Sequence, residues 1–541
     1  MQFAVTVTNN SAVNWTVNGM GSVDSNGNYT APTVTQNSTA TITATSVKDP
    51  KVWAAATITI VAPGVVTPTA NAQVAQYTIS VPDGLSVLVQ FSTDTSYGFT
   101  TWAVPAPAGG GAVPILVAGM KGNTEYHMRA AFQITGTTSP VFTDVDHTFT
   151  TTAYSAGAFP SITATVSTGQ TPQTGVELLN IDNGVITDLA GNVLWAYAPG
   201  TTVSPTGGPA PIKLLPNGHF LLIFYGVSPA DGANSLTQEI DLTGKVIWQM
   251  TAAQLNAALA KATCSGCNIT VVGNHHDAAV LPNGHLVLIA STQQTISGTV
   301  VTGDVLIDLD QNHNPVWLWN EFDHLDVSRR PMQFPDWTHT NAVTYSPDDK
   351  SLVVSSRHQS WIMKVNYNDG AGDGSLIWTL GYQGDFNLLP GTTNAVSPVD
   401  WFSAQHDANI ISSNTSGAID ILLFDNGNQR ILDSSGTLCS PSTTPCDSRV
   451  PIYHLDEAAK TAEITWVDKL APVFSFFGGS ARLLSNGNIE FDECGLTQPN
   501  QSSAIYEVTK TSPPVVVWQM QIQQYDYRGT RIGSLYPGVQ W

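Results

Sequence analysis

Charge is scarce in this chain: Asp, Glu, Lys and Arg together make up 11% of 541 residues. Cations are scarcest, with 20 Lys and Arg against 41 Asp and Glu and a net charge of −21. Nucleic acid and anionic membrane surfaces need a basic footprint, so neither is an expected partner. For the same reason, an anionic substrate must be held by a local cation. No apolar run reaches 18 residues, which excludes a membrane-spanning helix from the expectations. No signal peptide is present, and MQFAVTVTNNSAVNWTVNG (1–19) enters midway through a strand pattern. An export signal is therefore expected to have preceded residue 1. Helical periodicity is confined to AAQLNAALAKA (252–262).

Cysteine is also rare. Five occur: Cys264 and Cys267 in CSGC, Cys439 and Cys446 in CSPSTTPC, and Cys494 alone. Two close pairs in polar loops fit short-loop disulfides formed in an oxidising compartment, hence a periplasmic or extracellular location. No βα context surrounds CSGC to make it a redox motif, and neither pair offers enough ligands for zinc.

What the chain does have is Gly (45), Pro (32), Thr, Ser and Asn, the composition of many short strands joined by turns. Its length predicts two to four domains. Residues 1–63 alternate apolar and polar positions in VNWTVNG, TATITATS and VWAAATITIV, which reads as a small β-sandwich short of its first strand, and they resemble a bacterial immunoglobulin-like module. A linker around 64–73 and a second immunoglobulin- or fibronectin-like sandwich over 70–152 are expected next.

From 156 to 541 a longer pattern repeats. Its turns are LPNG (215–218 and 281–284), LSNG (484–487) and YSPDD (345–349). Its closing strands are NVLW (192–195), KVIW (245–248), NPVW (314–317), SLIW (375–378), EITW (463–466) and VVVW (515–518). Six four-stranded units with a tryptophan in each outer strand predict an all-β chain ending in a six-bladed β-propeller. A solenoid is the alternative, disfavoured by the irregular spacing. The tryptophans read as packing between blades, and YDYRGTRIGSLYP (525–537) as a segment that seals the ring or covers one end.

Histidines recur in this pattern. Register on the turns places His276, His339 and His406 in equivalent positions at the head of innermost strands, where an axial arrangement would bring them together. Alternation along the strand gives Asn341 the same face as His339, and antiparallel pairing puts Arg357 at the same end as His339. Asp277 and Asp407 point away and read as structural. His275 is one residue out of register. His127, His147, His219, His285, His313, His324, His358 and His454 read as surface or structural. Three imidazoles could bind zinc, but a permanent cation beside a divalent metal is repulsive. A guanidinium fork suits a tetrahedral oxyanion such as sulfate or phosphate, and a ring of donors suits transfer of that group.

On HHD (275–277), DWTHTNAV (336–343), SSRHQ (355–359) and QHDAN (405–409), with YGFTTW (97–102) and NTEYHMRA (123–130), the chain resembles the bacterial arylsulfotransferases that use aryl sulfates rather than a nucleotide sulfate. The resemblance covers roughly 74–541. It implies a six-bladed propeller and ping-pong transfer of a sulfuryl group from an aryl sulfate to a phenol through a sulfohistidine. It further implies His406 as nucleophile, with His276, His339, Asn341 and Arg357 holding the sulfuryl oxygens and one histidine protonating the leaving phenol. No cofactor is implied, and no glycine-rich phosphate loop is present. Attack requires neutral His406, so activity is expected to fall below the ordinary histidine value of about 6.5. A hydrolase passing the group to water and a non-catalytic propeller for binding or adhesion are the rival readings. The sandwiches would act as spacers or as a homodimer contact.

Overall fold

Strands form wherever β-branched and aromatic residues run between Gly, Pro, Asn and Asp turns. The computed structural model describes residues 1–541 apart from 9–10, 182–183, 198–208, 227–231, 233–234, 333–334, 391–399, 415, 434, 441–445, 469, 471–472 and 499–500. It is all-β, with helix in short pieces such as Ala252–Leu259, the stretch with helical periodicity. Thr251 starts that helix by accepting the Gln254 N–H, while the Gln254 side chain reaches back to the Thr251 N–H. Among the described residues, no helix is long and apolar enough to cross a membrane.

Met1–Tyr154 and Trp541 make one unit. One of its sheets orders Val13–Gly19, Ser38–Ser46 and Trp53–Ile60. Alternation in STATITATS turns Ala40, Ile42 and Ala44 inward. Two more sheets enclose a core that includes Tyr77, Val89, Phe91, Ile115 and Met128. The 64–73 stretch, expected as a linker, supplies strand Val65–Pro68 to one of them, paired with Ala75–Val81. Pro68 ends that strand, where a missing N–H is tolerated.

Ser155–Gln540 is the second unit, and its described residues form six sheets. The first combines Val176–Leu179, Val185–Thr187 and Val193–Ala196 with the distant strand Thr530–Ile532. The second runs from Ile212–Leu214 to Val246–Thr251, and the third from Val271–Val280 to Pro315–Asn320. The fourth runs from Thr340–Ser346 to Leu376–Leu380. The fifth starts at His406–Ile410 and reaches Thr461–Val467, with Asn387–Leu388 added in parallel. The sixth runs from Ser480–Leu483 to Val516–Ile522, with Ile162–Val166 added at its edge. The tail thus pairs with the first sheet, and the start of the unit pairs with the last. Inner strands such as Phe220–Phe224 are buried on both faces, which is why they read as continuous apolar runs.

Each closing tryptophan reaches the sheet that follows. The indole N–H groups of Trp195, Trp317, Trp378 and Trp466 donate to Leu242 O, Gly372 O, Glu457 Oε1 and Thr511 O, and Trp248 stacks on His313. Trp518 of the sixth sheet donates to Leu189 O of the first at 2.8 Å. The turns carry left-handed glycines, Gly218, Gly284 and Gly487, with φ of 79°, 81° and 86°. Lys350, at φ 58°, turns the fourth sheet.

Candidate active site

The first strands of sheets three, four and five are bulged near their starts: pairing slips between Asn274 and Ala278, Thr340 and Ala342, and His406 and Asn409. A bulge bends the strand and re-aims side chains. His276, His339 and Asp407 have φ of 55°, 49° and 52°, a conformation that costs a non-glycine residue on the order of 1 kcal/mol or more.

These bulges correct the expected register. Ala278, Val343 and Ala408 each pack against the preceding sheet. Counting back two residues gives His276, Asn341 and His406. Asn341, not His339, therefore shares the place of the other two. His339 stands two residues further back, outside the strand, and does not share a face with Asn341 by simple alternation. The three histidines gather all the same. The His276 and His339 rings lie 4.5 Å apart, and the Tyr527 ring sits 5.8 Å from His276 and 6.0 Å from His406. Arg357 follows Ser351–Ser356, and its backbone N–H is 3.3 Å from the His339 carbonyl, the antiparallel neighbour expected.

Each histidine has a partner of its own. The His406 Nδ1 is 2.6 Å from Asn426 Oδ1. His339 Nδ1 pairs with the Asp336 carboxylate. His276 Nδ1 is 2.6 Å from His275 Nδ1, and His275 Nε2 is 3.0 Å from Asp304 Oδ1. Burial pushes His276 well below its ordinary pKa, and positive charge on the neighbouring rings or on Arg357 would push the same way. Burial and then Arg357 do the same to His406, against the pull of its Asn426 bond. Burial alone would raise Asp336, but His339 holds that carboxylate below its usual range.

Asp336, His339 and His358 offer three ligand atoms within 4.8 Å of one another, a spacing a metal could use. Their hydrogen bonds do not suit one. His358 Nδ1 donates to the Asp336 carbonyl at 2.6 Å, and its Nε2 accepts from Arg357 Nη1 at 2.8 Å. Both ring nitrogens are thus engaged, one of them by a guanidinium. Burial, with His339 and Arg357, pushes His358 down to about 3, so it is a neutral acceptor that aims Arg357. Arg357 Nη2 also donates to Phe476 O at 2.9 Å, while its Nε is buried without a partner among the described residues. The Tyr527 hydroxyl is likewise buried and unpartnered. Unmet buried donors are costly unless a ligand completes them.

Behind the histidines, Arg528 Nη1 lies 3.3 Å from Asp277 and 3.5 Å from Asp407, and its Nη2 donates to the Asn341 carbonyl at 3.0 Å. Asp277 also accepts the Val343 N–H and Asp407 the Ala481 N–H, each from the next sheet. The structural reading of these two aspartates holds. The Asn341 side chain donates to Gln405 O at 2.7 Å. Sequence reasoning missed His275, Asp304, Asp336, His358, Asn426, Tyr527 and Arg528. Asp336 and His358 lie inside the quoted motifs, three residues before His339 and one after Arg357. Both cysteine pairs form disulfides, Cys264–Cys267 and Cys439–Cys446, and Cys494 is a buried thiol. Residues 441–445 of the second loop lie outside the described residues.

The family model described as Arylsulfotransferase (ASST) matches residues 162–528, a span that contains every residue of this site. The chain belongs to the arylsulfotransferase family. Its activity is therefore that of an arylsulfotransferase, with aryl sulfates and phenols as the fitting substrates. No curated protein matches the chain. Among solved structures, Kuenenia stuttgartiensis hydrazine synthase is 12% identical with a TM-score of 0.28, covering 58% of this chain and 80% of that one. An endo-1,5-α-L-arabinanase from Thermotoga petrophila is 10% identical at a TM-score of 0.24, covering 69% and 99%. The WD40 domain of SCAP from fission yeast is 8% identical at 0.21, covering 85% of both chains. Superpositions this loose carry no argument about the enzyme.

Proposed function

We propose that the enzyme transfers a sulfuryl group from an aryl sulfate to a phenol in two steps through sulfo-His406. The observation that carries this reading is the gathering of His276 and His406 around Tyr527, with His339 against His276, beside a guanidinium with an unmet donor. In the first step His406 Nε2 attacks sulfur, the bond from sulfur to the aryl oxygen breaks, and the phenolate takes a proton from an imidazolium. In the second, an acceptor phenol gives its proton to that imidazole and its oxygen attacks sulfur. The N–S bond then breaks and His406 is restored. Arg357, Asn341 and the Tyr527 hydroxyl surround the sulfuryl oxygens, where fixed donors stabilise spreading charge, and His276 lies against Tyr527. His339 is the acid and base, because it alone of the three leans directly on a carboxylate, Asp336, while burial keeps His276 and His406 neutral.

The six sheets are the blades of a propeller in this reading. Support comes from the cycle of tryptophan contacts, the last of which returns from Trp518 to the first sheet, and from the strands exchanged at both chain ends. Residues 1–63 and 70–152 are immunoglobulin- or fibronectin-like spacers, and the two disulfides favour an exported enzyme.

Mass spectrometry after mixing with 4-nitrophenyl sulfate tests the covalent step. One sulfuryl group should appear on a peptide containing His406 and vanish in His406→Asn, with melting unchanged. Turnover without any adduct under single-turnover conditions would sink the two-step route. A phenol acceptor should speed donor turnover and yield a new sulfate ester; release of free sulfate alone would mark a hydrolase.

A further inference from the structure

We propose that Asn426 fixes the tautomer of His406 and so makes Nε2, not Nδ1, the atom that takes the sulfuryl group. The proposal rests on the covalent reading above. Asn426 is fully buried at the end of Ala418–Phe424, in the DNGN turn (425–428) that follows. Its Nδ2 donates one hydrogen to Ser475 O at 2.8 Å and the other to Gly478 O at 3.0 Å. Both partners are backbone carbonyls, which only accept. A flipped amide would set its oxygen against two carbonyl oxygens and lose both bonds, so the orientation is determined by the network. Oδ1 therefore faces His406, and an amide oxygen can only accept. The nitrogen 2.6 Å away, Nδ1, must carry the hydrogen. Neutral imidazole has a single N–H, so the lone pair is left on Nε2.

The backbone bracket around this pair is equally specific. Gly478 holds Asn426 with its carbonyl and sends its N–H to within 3.3 Å of His406 Nε2. Its φ is 66°, and a Cβ there would stand 2.8 Å from Cys494 Sγ, so a side chain would displace both ends of the bracket. The amide has a second consequence. Once Nε2 is bonded to sulfur, the ring is cationic, and Asn426 cannot take the Nδ1 proton as a carboxylate could. The ring stays charged, and a cationic ring leaves more readily when acceptor oxygen attacks.

Two-bond proton–nitrogen NMR of ¹⁵N-histidine enzyme, with His406 assigned by its loss in His406→Asn, reads the tautomer directly. The expected result is Nδ1–H at His406 in the resting enzyme, and Nε2-sulfohistidine in the isolated adduct. Asn426→Leu should lose the tautomer preference and slow the phenol burst about tenfold through loss of the bond to His406, with the donor concentration for half-maximal burst unchanged. The bonds to Ser475 O and Gly478 O go as well, which lowers the melting temperature. An Nε2–H resting tautomer, or an Nδ1 adduct, overturns the inference. So does an unchanged tautomer and burst in Asn426→Leu. If that variant does not fold, the wild-type spectrum still decides. An Nδ1–H signal together with no adduct at all would leave the tautomer assignment standing and remove the covalent reading instead.

Discussion

Replacing Asp336 by Asn tests whether His339 supplies the proton to the leaving phenol. The change is nearly isosteric, and the new amide can still accept from His339 Nδ1, so what is lost is the charge. The His358 bond is to the main-chain carbonyl of residue 336, so the aim of Arg357 survives the substitution. Hydrogen bonds to charged groups contribute about 1.5–3 kcal/mol and neutral ones about 0.5–1.5. The imidazolium therefore loses roughly 1–2 kcal/mol, or about 5–30-fold in a step that needs it. That loss should depend on the leaving group. Rapid-mixing measurement of the phenol burst should show the full drop for an aryl sulfate whose phenol is weakly acidic. 4-Nitrophenyl sulfate, whose phenolate leaves without help, should change less than about twofold. An equal loss for both donors would mean that Asp336 serves the shape of the site, and no loss for either would remove His339 from the proton's path.

Two further outcomes follow from burial. Because burial and Arg357 hold His406 well below the ordinary histidine value, its neutral form persists into acid. The burst should therefore stay flat from pH 7 through about 6.5, lower than the unperturbed side chain predicts; half of the rate lost near that value would contradict the buried geometry. Trp518→Ala removes a fully buried indole and its bond to Leu189, a loss of about 3–5 kcal/mol for a large aromatic. Calorimetry should show the whole second unit melting earlier, and an unchanged melt would argue that the contact between sixth and first sheets is dispensable.

Much of this was legible because it repeats. The closing tryptophans and the LPNG-type turns mark the strands of each sheet, since period and turn chemistry are local properties of sequence. Arg357 was placed correctly because antiparallel pairing alone puts the end of one strand beside the start of its neighbour. That His339 is not the equivalent of His276 and His406 was not legible. A bulge inserts residues without changing composition, and a one-residue slip reverses the face of every side chain after it. The edge strand Ile162–Val166 was invisible for a different reason: its partner, Val516–Ile522, lies more than 300 residues away, and no local pattern encodes such a pairing.

What the sequence hid most completely is what distinguishes three identical side chains. His406, His339 and His276 lean on an amide, a carboxylate, and a second imidazole backed by Asp304, respectively. Asn426 comes from the strand end beside His406, Asp336 from the loop before His339, and Asp304 from the third strand of its sheet, 29 residues from His275. An amide cannot remove a proton, so it suits a nucleophile whose ring must become cationic and then leave. A carboxylate stabilises a cation, so it suits the residue that carries the proton. The relay from Asp304 through His275 suits a ring that must stay neutral and hold its orientation against two other histidines. On the proposed mechanism, the motif sets where imidazoles gather and the groups behind them decide which one reacts.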